Sequence, residues 1–95
     1  MAVRLVVTIT AAPGKGAELA QVLKARCADA AKEPGCEQFE AFQSVGNPDR
    51  IALLERWADQ AALDVHAKLN DSRPPLRPEL RAGSEREDYD YKRTR

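Results

Sequence analysis

Residues 51–66 read IALLERWADQAALDVH, and this stretch predicts a β-strand that passes directly into an α-helix. The strand is expected over residues 50–57 and the helix over residues 59–70, with an aspartate as its N-cap. The chain's only tryptophan, Trp57, and its only histidine, His66, are nine residues apart across this junction. A large flat aromatic surface and a side chain that ordinarily titrates near neutral pH together indicate a site for a flat organic ligand.

Periodicity and turn residues predict the rest of the chain outward from this junction. The predicted segments are a strand over 3–10, a helix over 17–32, a strand over 36–45 that forms a hairpin with 50–57, an irregular proline-rich segment over 71–78, one helical turn over 79–82 and a last strand over 85–94. The order βαββαβ predicts an α+β, ferredoxin-like fold. In that fold a four-stranded antiparallel sheet carries both helices on one face.

The second face of this sheet needs a cover that the chain itself does not supply. Ninety-five residues are expected to form a single domain, residues 1–95, with no third layer. A second copy of the sheet is the natural cover, so we expect a homodimer that joins through its sheet faces into an α+β barrel.

Composition argues against several classes of partner. Lysine plus arginine and aspartate plus glutamate both number 15, so the net charge gives no reason to expect nucleic acid or an anionic membrane. The N-terminus lacks the regions of a signal peptide, and no stretch approaches the length of a membrane span, so a cytoplasmic protein is expected. Cys27 and Cys36 are expected to be small buried hydrophobes, and one histidine without a C-x-x-C pair argues against structural zinc.

Several short motifs carry a family likeness. They are E-P-G-C at 33–36, L-E-R-W at 54–57, A-L at 62–63 and His66, in register over about residues 3–69. This combination resembles the antibiotic biosynthesis monooxygenase family, whose members are dimeric α+β barrels of ferredoxin-like subunits. The resemblance implies oxidation of small phenols, anthrones or quinols by dioxygen without metal or flavin. The wider superfamily also contains haem-degrading enzymes, isomerases and proteins without known activity, so fold alone does not assign the chemistry.

The resemblance makes His66 the candidate catalytic acid/base. A cofactor-free oxygenase needs a base to remove a phenolic proton and a donor when the peroxide collapses, and one histidine can serve both steps. The alternative is a core histidine that hydrogen-bonds the neighbouring strand. Trp57 is expected to form a wall of the substrate pocket between sheet and helices, or else simply to pack in the core.

Three further side chains are candidate substrate contacts. Glu55 shares a strand face with Trp57; it could orient His66, or form a structural ion pair with a cation such as Arg4. Arg73 lies in the proline-rich segment and could bind an anionic substrate group, although arginines in such loops are usually solvated. Asn70 follows His66 by one helical turn and could hold a substrate or water oxygen.

The sequence therefore favours a cofactor-independent monooxygenase acting on a small aromatic phenol, anthrone or quinol. The proline-rich segment 71–78 departs from the longer helical stretch expected in relatives. It supports the alternative of a non-catalytic ligand-binding or dimerisation module of the same fold; an isomerase of the superfamily is a further alternative. No glycine-rich phosphate loop is present, so no nucleotide cofactor is expected.

Overall fold

The computed structural model describes residues 1–92, and these form four strands, two α-helices and one short 3₁₀ helix. Their bounds in chain order are β1 Val3–Ala11, α1 Gly16–Ala30, β2 Cys36–Gln43, β3 Arg50–Trp57, α2 Gln60–Ser72, the 3₁₀ helix Pro78–Leu80 and β4 Arg81–Asp90. Within residues 1–92 no helix is both long and apolar enough to cross a membrane.

The sheet confirms the predicted ferredoxin-like fold. Its strand order is β2-β3-β1-β4, and every neighbouring pair is antiparallel. Leu5 and Ile9 lie on one face of β1; Leu5 packs in a cluster with Leu63 of α2, and Ile9 in a cluster with Leu19 of α1. Both helices therefore cover the same face, and the opposite face, which we call the open face, carries neither helix.

Helix and hairpin bounds differ slightly from the predictions. Helix α1 ends at Ala30 rather than at 32, because the next turn tightens: the Lys32 N–H bonds the Asp29 carbonyl three residues back. Strand β2 ends at Gln43 rather than at 45, and Val45 is fully exposed in the turn. Asp59 caps α2 as predicted, accepting from the Ala62 N–H at 2.8 Å.

The segment between α2 and β4 also differs from its prediction. Helix α2 continues to Ser72, two residues past 70, and its last side chains face solvent; Leu69, expected on the inner side, is exposed. Pro78–Leu80 form the 3₁₀ helix, earlier than the predicted turn over 79–82. Leu80 anchors this segment, because its side chain is buried beneath α1 in the cluster around Ile9.

Strand β4 begins at Arg81, four residues earlier than predicted, and ends at Asp90. It pairs with β1 along almost the whole length of that strand, from Val3 opposite Asp90 to Ala11 opposite Arg81. Every residue of β4 is exposed on the single chain, so its bounds are set by main-chain pairing rather than by burial. The predicted end of the strand at 94 lies outside the described residues.

Candidate functional site

The side chains of Trp57 and His66 are in direct contact. Their ring centroids are 4.6 Å apart with planes tilted by 31°, and the Phe39 ring closes the group at 5.4 Å from His66. Trp57 has no exposed surface and His66 is 8% exposed. The junction predicted from residues 51–66 thus brings the two aromatic rings together, stacked upon one another under α2.

His66 is held by a buried carboxylate from the α1–β2 turn. Its Nδ1 lies 2.9 Å from Oε1 and 3.1 Å from Oε2 of Glu33. An ionised carboxylate can only accept, so Nδ1 carries the proton and a neutral His66 has its lone pair on Nε2. Within residues 1–92, Nε2 forms no hydrogen bond. In this geometry the Glu33 carboxylate fixes Nδ1, and Nε2 is the nitrogen that can act as a general base.

Arg73 reaches the same carboxylate from the end of α2. Its Nη2 donates to Glu33 Oε2 at 2.7 Å, while its Nη1 is buried and has no hydrogen-bond partner in residues 1–92. Arg73 thus lies close to His66, joined to it through Glu33. We call Arg73, Glu33 and His66 the charged array.

Glu55 points inward as predicted, but neither predicted partner binds its carboxylate. The Trp57 indole N–H donates to Glu55 Oε1 at 3.0 Å. Arg4 lies on the open face. Its guanidinium donates to the Gln38 side chain and to the Glu55 backbone carbonyl, the latter at 3.4 Å, and does not bond the Glu55 carboxylate. Burial raises the pKa of the Glu55 carboxyl, an effect that the Trp57 hydrogen bond and the nearby His66 and Arg86 partly oppose.

Asn70 is not brought to this cluster. Its side-chain oxygen accepts from Arg26 Nη1 at 2.8 Å on the exposed side of the helix pair. The second nitrogen of Arg26 donates to the Pro74 carbonyl at 2.8 Å. Asn70 and Arg26 therefore tie α2 and the start of the proline-rich segment to α1.

Two residues of the cluster were not singled out as site candidates in the sequence. Glu33 stands in the E-P-G-C motif, where a glutamate next to a helix-ending Pro-Gly turn gives no indication of burial. Phe39 lies on the strand predicted over 36–45, and it is buried with Trp57 and His66 on one side and a cavity on the other. Phe39 and Ala41 are two residues apart on β2 and so share a strand face, and this spacing is the signal that Phe39 faces inward.

A cavity of about 360 Å³ opens between α1 and the edge strand β2. Cys27 and Phe39 lie in its lining with aliphatic side chains, and Lys24 and Glu40 supply charges. Neither Trp57 nor His66 lines it, so Phe39 separates this cavity from the histidine. The full lining is Ala20, Gln21, Lys24, Cys27, Phe39, Glu40, Ala41, Phe42, Gln43 and Ile51.

The hydrogen-bonded pair of His66 and Glu33 is suited to proton transfer. Within residues 1–92 no three histidine, cysteine, aspartate or glutamate side chains converge as a metal-ligand set. Burial raises the pKa of both cysteine thiols, Cys27 and Cys36, which favours the less reactive thiol form.

Comparison with known proteins decides the family. The profile described as antibiotic biosynthesis monooxygenase matches residues 2–73, which include Glu33, Glu55, Trp57, His66 and Arg73. The chain belongs to the antibiotic biosynthesis monooxygenase family. No curated protein matches this family member.

Solved structures share the fold of this family member over almost its full length. PA3566 from Pseudomonas aeruginosa is 29% identical, with a TM-score of 0.83 over 97% of this chain and 95% of its own. A conserved protein from Methanosarcina mazei is 28% identical, with a TM-score of 0.81 over 97% and 94%. A protein from Deinococcus radiodurans, named as a candidate antibiotic biosynthesis monooxygenase, is 18% identical with a TM-score of 0.79 over 97% and 94%, which supports the fold alone.

Proposed function

We propose that the protein is a cofactor-independent monooxygenase that oxidises a small phenol, anthrone or quinol with dioxygen. Family membership supports monooxygenase-type chemistry. The observation that carries the proposal is the buried His66, whose Nδ1 is bonded to Glu33 so that Nε2 is the nitrogen left to accept a proton. In this proposal His66 is the acid/base, Glu33 orients it, and Trp57 supports its ring from behind.

The proposed reaction balances without a metal or flavin. His66 Nε2 takes the phenolic proton, and the electron-rich anion passes one electron to dioxygen. The resulting radical pair joins as a peroxide. Loss of water from the peroxide, with His66 returning the proton, leaves a new carbonyl: an anthrone and O₂ give a quinone and H₂O. Each proton step falls to the one side chain near the site that ordinarily titrates around neutral pH.

The cavity beside Phe39 is the proposed substrate-binding site. Its volume of about 360 Å³ lies at the lower end of the range for small-molecule pockets, and its lining combines apolar side chains with the charged Lys24 and Glu40. Because Phe39 stands between the cavity and His66, a substrate approaching from this side reaches Nε2 only when the Phe39 ring turns aside. Glu55 borders the same cluster, whereas Asn70 is no longer proposed as a substrate contact because Arg26 holds it on the outer side.

Oxygen uptake tests this function directly. Purified protein treated with a chelator would be incubated with a panel of anthrones and quinols in air, together with His66→Ala and the control Lys68→Ala, an exposed residue of the same helix. Loss of a general base is expected to lower the rate by about 10²-fold or more, and Lys68→Ala should keep the wild-type rate. An active wild type with an equally active His66→Ala would exclude the assigned role.

A second candidate is a non-catalytic binding module. It is favoured by the direct stacking of His66 on a fully buried Trp57, which leaves no ligand space between the two rings. A protein of this kind would bind aromatic compounds in the cavity between α1 and β2 without consuming oxygen. Saturable binding seen by calorimetry, with no oxygen uptake from any compound of the panel, would favour the module over the enzyme.

The open face supports the second copy expected from the sequence, and we infer a homodimer through this face. Phe42 and Tyr89 are 46% and 52% exposed there, and Val6 and Leu54 are only half-buried. Because Val6 and Leu54 lie opposite one another on the two central strands, they form an apolar centre for the face. A second sheet packed upon it would remove these side chains from water.

A further inference from the structure

The charged array is unusual because two cations share one buried carboxylate when His66 is protonated. Each oxygen of Glu33 has its own contact: Oε1 is nearest to His66 Nδ1 and Oε2 to Arg73 Nη2. The Glu33 side chain is only 7% exposed. A carboxylate buried to this degree is strongly disfavoured unless a positive charge stays beside it.

Arg73 supplies a positive charge that does not depend on pH. A guanidinium stays protonated in proteins, so Glu33 can remain ionised beside Arg73 while His66 is neutral. Without Arg73, the contacting cation left for Glu33 would be the imidazolium of His66. Arg73 thus removes the need for His66 to be charged, and a neutral imidazole is what a general base requires.

Attachment of the proline-rich segment to α1 does not by itself account for this arrangement. Arg73 Nη1 is buried with no acceptor in residues 1–92, and an unpaired buried donor is destabilising. The proline-rich segment also has another attachment, since Arg26 holds the Pro74 carbonyl at 2.8 Å. The segment could therefore be fixed to α1 without inserting Arg73 beside Glu33.

Other charged groups around His66 are few. The Glu55 carboxylate on β3 faces the same cluster, and burial raises its pKa. The Cys36 thiol lies near Glu33 at the start of β2, and burial raises its pKa as well. Each shift favours the neutral form of its own group. The direct charged partner of His66 is Glu33, and Arg73 in turn contacts Glu33.

We propose that Arg73 is a positioning residue that acts through Glu33: it keeps His66 neutral with the proton on Nδ1 and the lone pair on Nε2. The inference deepens the proposed function and rests on it for its catalytic meaning.

Nitrogen-15 NMR of histidine-labelled protein tests this without substrate. His66 is the only histidine, so its spectrum reports the imidazolium fraction and the neutral tautomer without overlap. Wild type, Arg73→Gln, Arg73→Lys, Glu33→Gln and the control Arg26→Gln would be compared at pH 7.5. Arg26→Gln removes another attachment of the proline-rich segment, its bond to the Pro74 carbonyl, and leaves the charged array intact.

We expect Arg73→Gln to raise the ratio of imidazolium to neutral His66 roughly tenfold, the scale of one lost charge contact near a protein surface. Glu33→Gln should lower that ratio and mix the two neutral tautomers. Arg73→Lys, which keeps the charge, and Arg26→Gln should stay within about twofold of wild type. The proposal is overturned if Arg73→Gln leaves the ratio unchanged, or if Arg73→Lys or Arg26→Gln raises it tenfold.

The NMR experiment and the oxygen-uptake experiment test the two proposals separately. A protein that consumes no oxygen with any substrate would reject the proposed oxygenase, while the histidine spectrum would still decide whether Arg73 sets the charge of His66. Conversely, if the enzyme is active but the His66 spectrum is the same in wild type and Arg73→Gln, the proposed function stands and the role of Arg73 is rejected.

Discussion

Glu55 is a carboxylate in the apolar cluster that contains Trp57. It is 5% exposed and lies directly between Leu5 of β1 and Phe39 of β2 in the sheet register. Its side chain has one hydrogen bond, from the Trp57 indole two residues along the same strand face. Burial raises its pKa, so ionisation of Glu55 at neutral pH weakens the fold rather than supporting it.

The pH dependence of stability follows from the sign of this shift. A folded-state pKa above the unfolded value of about 4.5 means that the folded chain holds the proton more tightly. The Glu55 contribution therefore lowers stability as pH rises from the unfolded pKa to the folded one, and the loss is complete above the folded value.

Glu55→Gln should relieve this cost and keep an oxygen that accepts from Trp57. We expect a gain in the free energy of unfolding of about 1 kcal/mol at pH 7.5, the lower end of the cost of an under-bonded buried polar group, and little gain at pH 4. Urea unfolding at both pH values measures it, with the exposed Glu40→Gln as control. Equal gains at the two pH values would contradict a charge effect.

At the residue scale, the sequence predicted orientations better than partners. Strand alternation placed Glu55 and Trp57 inward, and helical spacing placed His66 toward the sheet. The partner of His66 is Glu33, which is 33 residues away in the chain and joined to it only by the docking of α2 on the α1–β2 turn. Periodicity carries no information about such a contact, because it describes one element at a time.

Helix α2 docks on that turn through a close backbone contact. Gly35 has φ +81°, and a Cβ built on it would lie 2.5 Å from the Cβ of Ala62. The Gly35 carbonyl also accepts from the Ala58 N–H at 2.8 Å. A glycine is required here both by the left-handed backbone and by the approach of α2, which brings His66 over Glu33.

Gly35→Ala should therefore lower the free energy of unfolding by more than replacement of a left-handed glycine ordinarily does. We expect a loss of roughly 2–4 kcal/mol, the sum of backbone strain and overpacking. Gly14→Ala is the matched control: its φ is +77° but no atom lies within 4 Å of the added Cβ, so a loss of roughly 1 kcal/mol is expected. Urea unfolding compares them. Equal losses would show that contact with Ala62 adds nothing.

Strand β4 shows where element prediction fails. Its residues are charged or small over most of its length, and all are exposed on the single chain. The alternation that marks a half-buried strand is therefore weak. The predicted strand began at residue 85, where charged residues alternate toward Tyr89 and Tyr91, rather than at Arg81. Main-chain hydrogen bonding to β1 extends β4 back to Arg81. The pattern of side chains does not predict that pairing.

At the scale of the whole molecule, the open face is the surface on which the proposed homodimer depends. A face with Val6 and Leu54 at its centre and Phe42 and Tyr89 toward its edges is expected to pair with a second copy. Arg4 and Arg56 frame part of it; both guanidinium groups lie over the Tyr91 ring, at 5.2 and 4.9 Å from its centroid.

Leu54→Lys is expected to convert a dimer into a monomer. A lysine at the centre of the proposed interface would have its ammonium group desolvated on association, so the mass measured by light scattering should fall from about twice 10.5 kDa to one copy. Val45→Lys, a fully exposed apolar residue in the β2–β3 turn, is the matched control and should leave the mass unchanged. A monomeric wild type would reject the proposed assembly.

The order of elements, the inward faces of the strands and α1, and the N-cap at Asp59 could be predicted from the sequence, because each depends on residues within about one turn or one strand. The family could be predicted as well, because its motifs keep their spacing along the chain. The tertiary structure alone decided that Glu33 and Arg73 meet His66, that Trp57 bonds Glu55 and that Asn70 turns outward to Arg26. The contacts of His66, Arg73 and Asn70 arise where α2 and its end pack against the α1–β2 turn and α1. The Trp57–Glu55 bond lies within β3 and depends on burial of that strand face. Packing geometry of that kind is a property of the whole fold rather than of any local pattern.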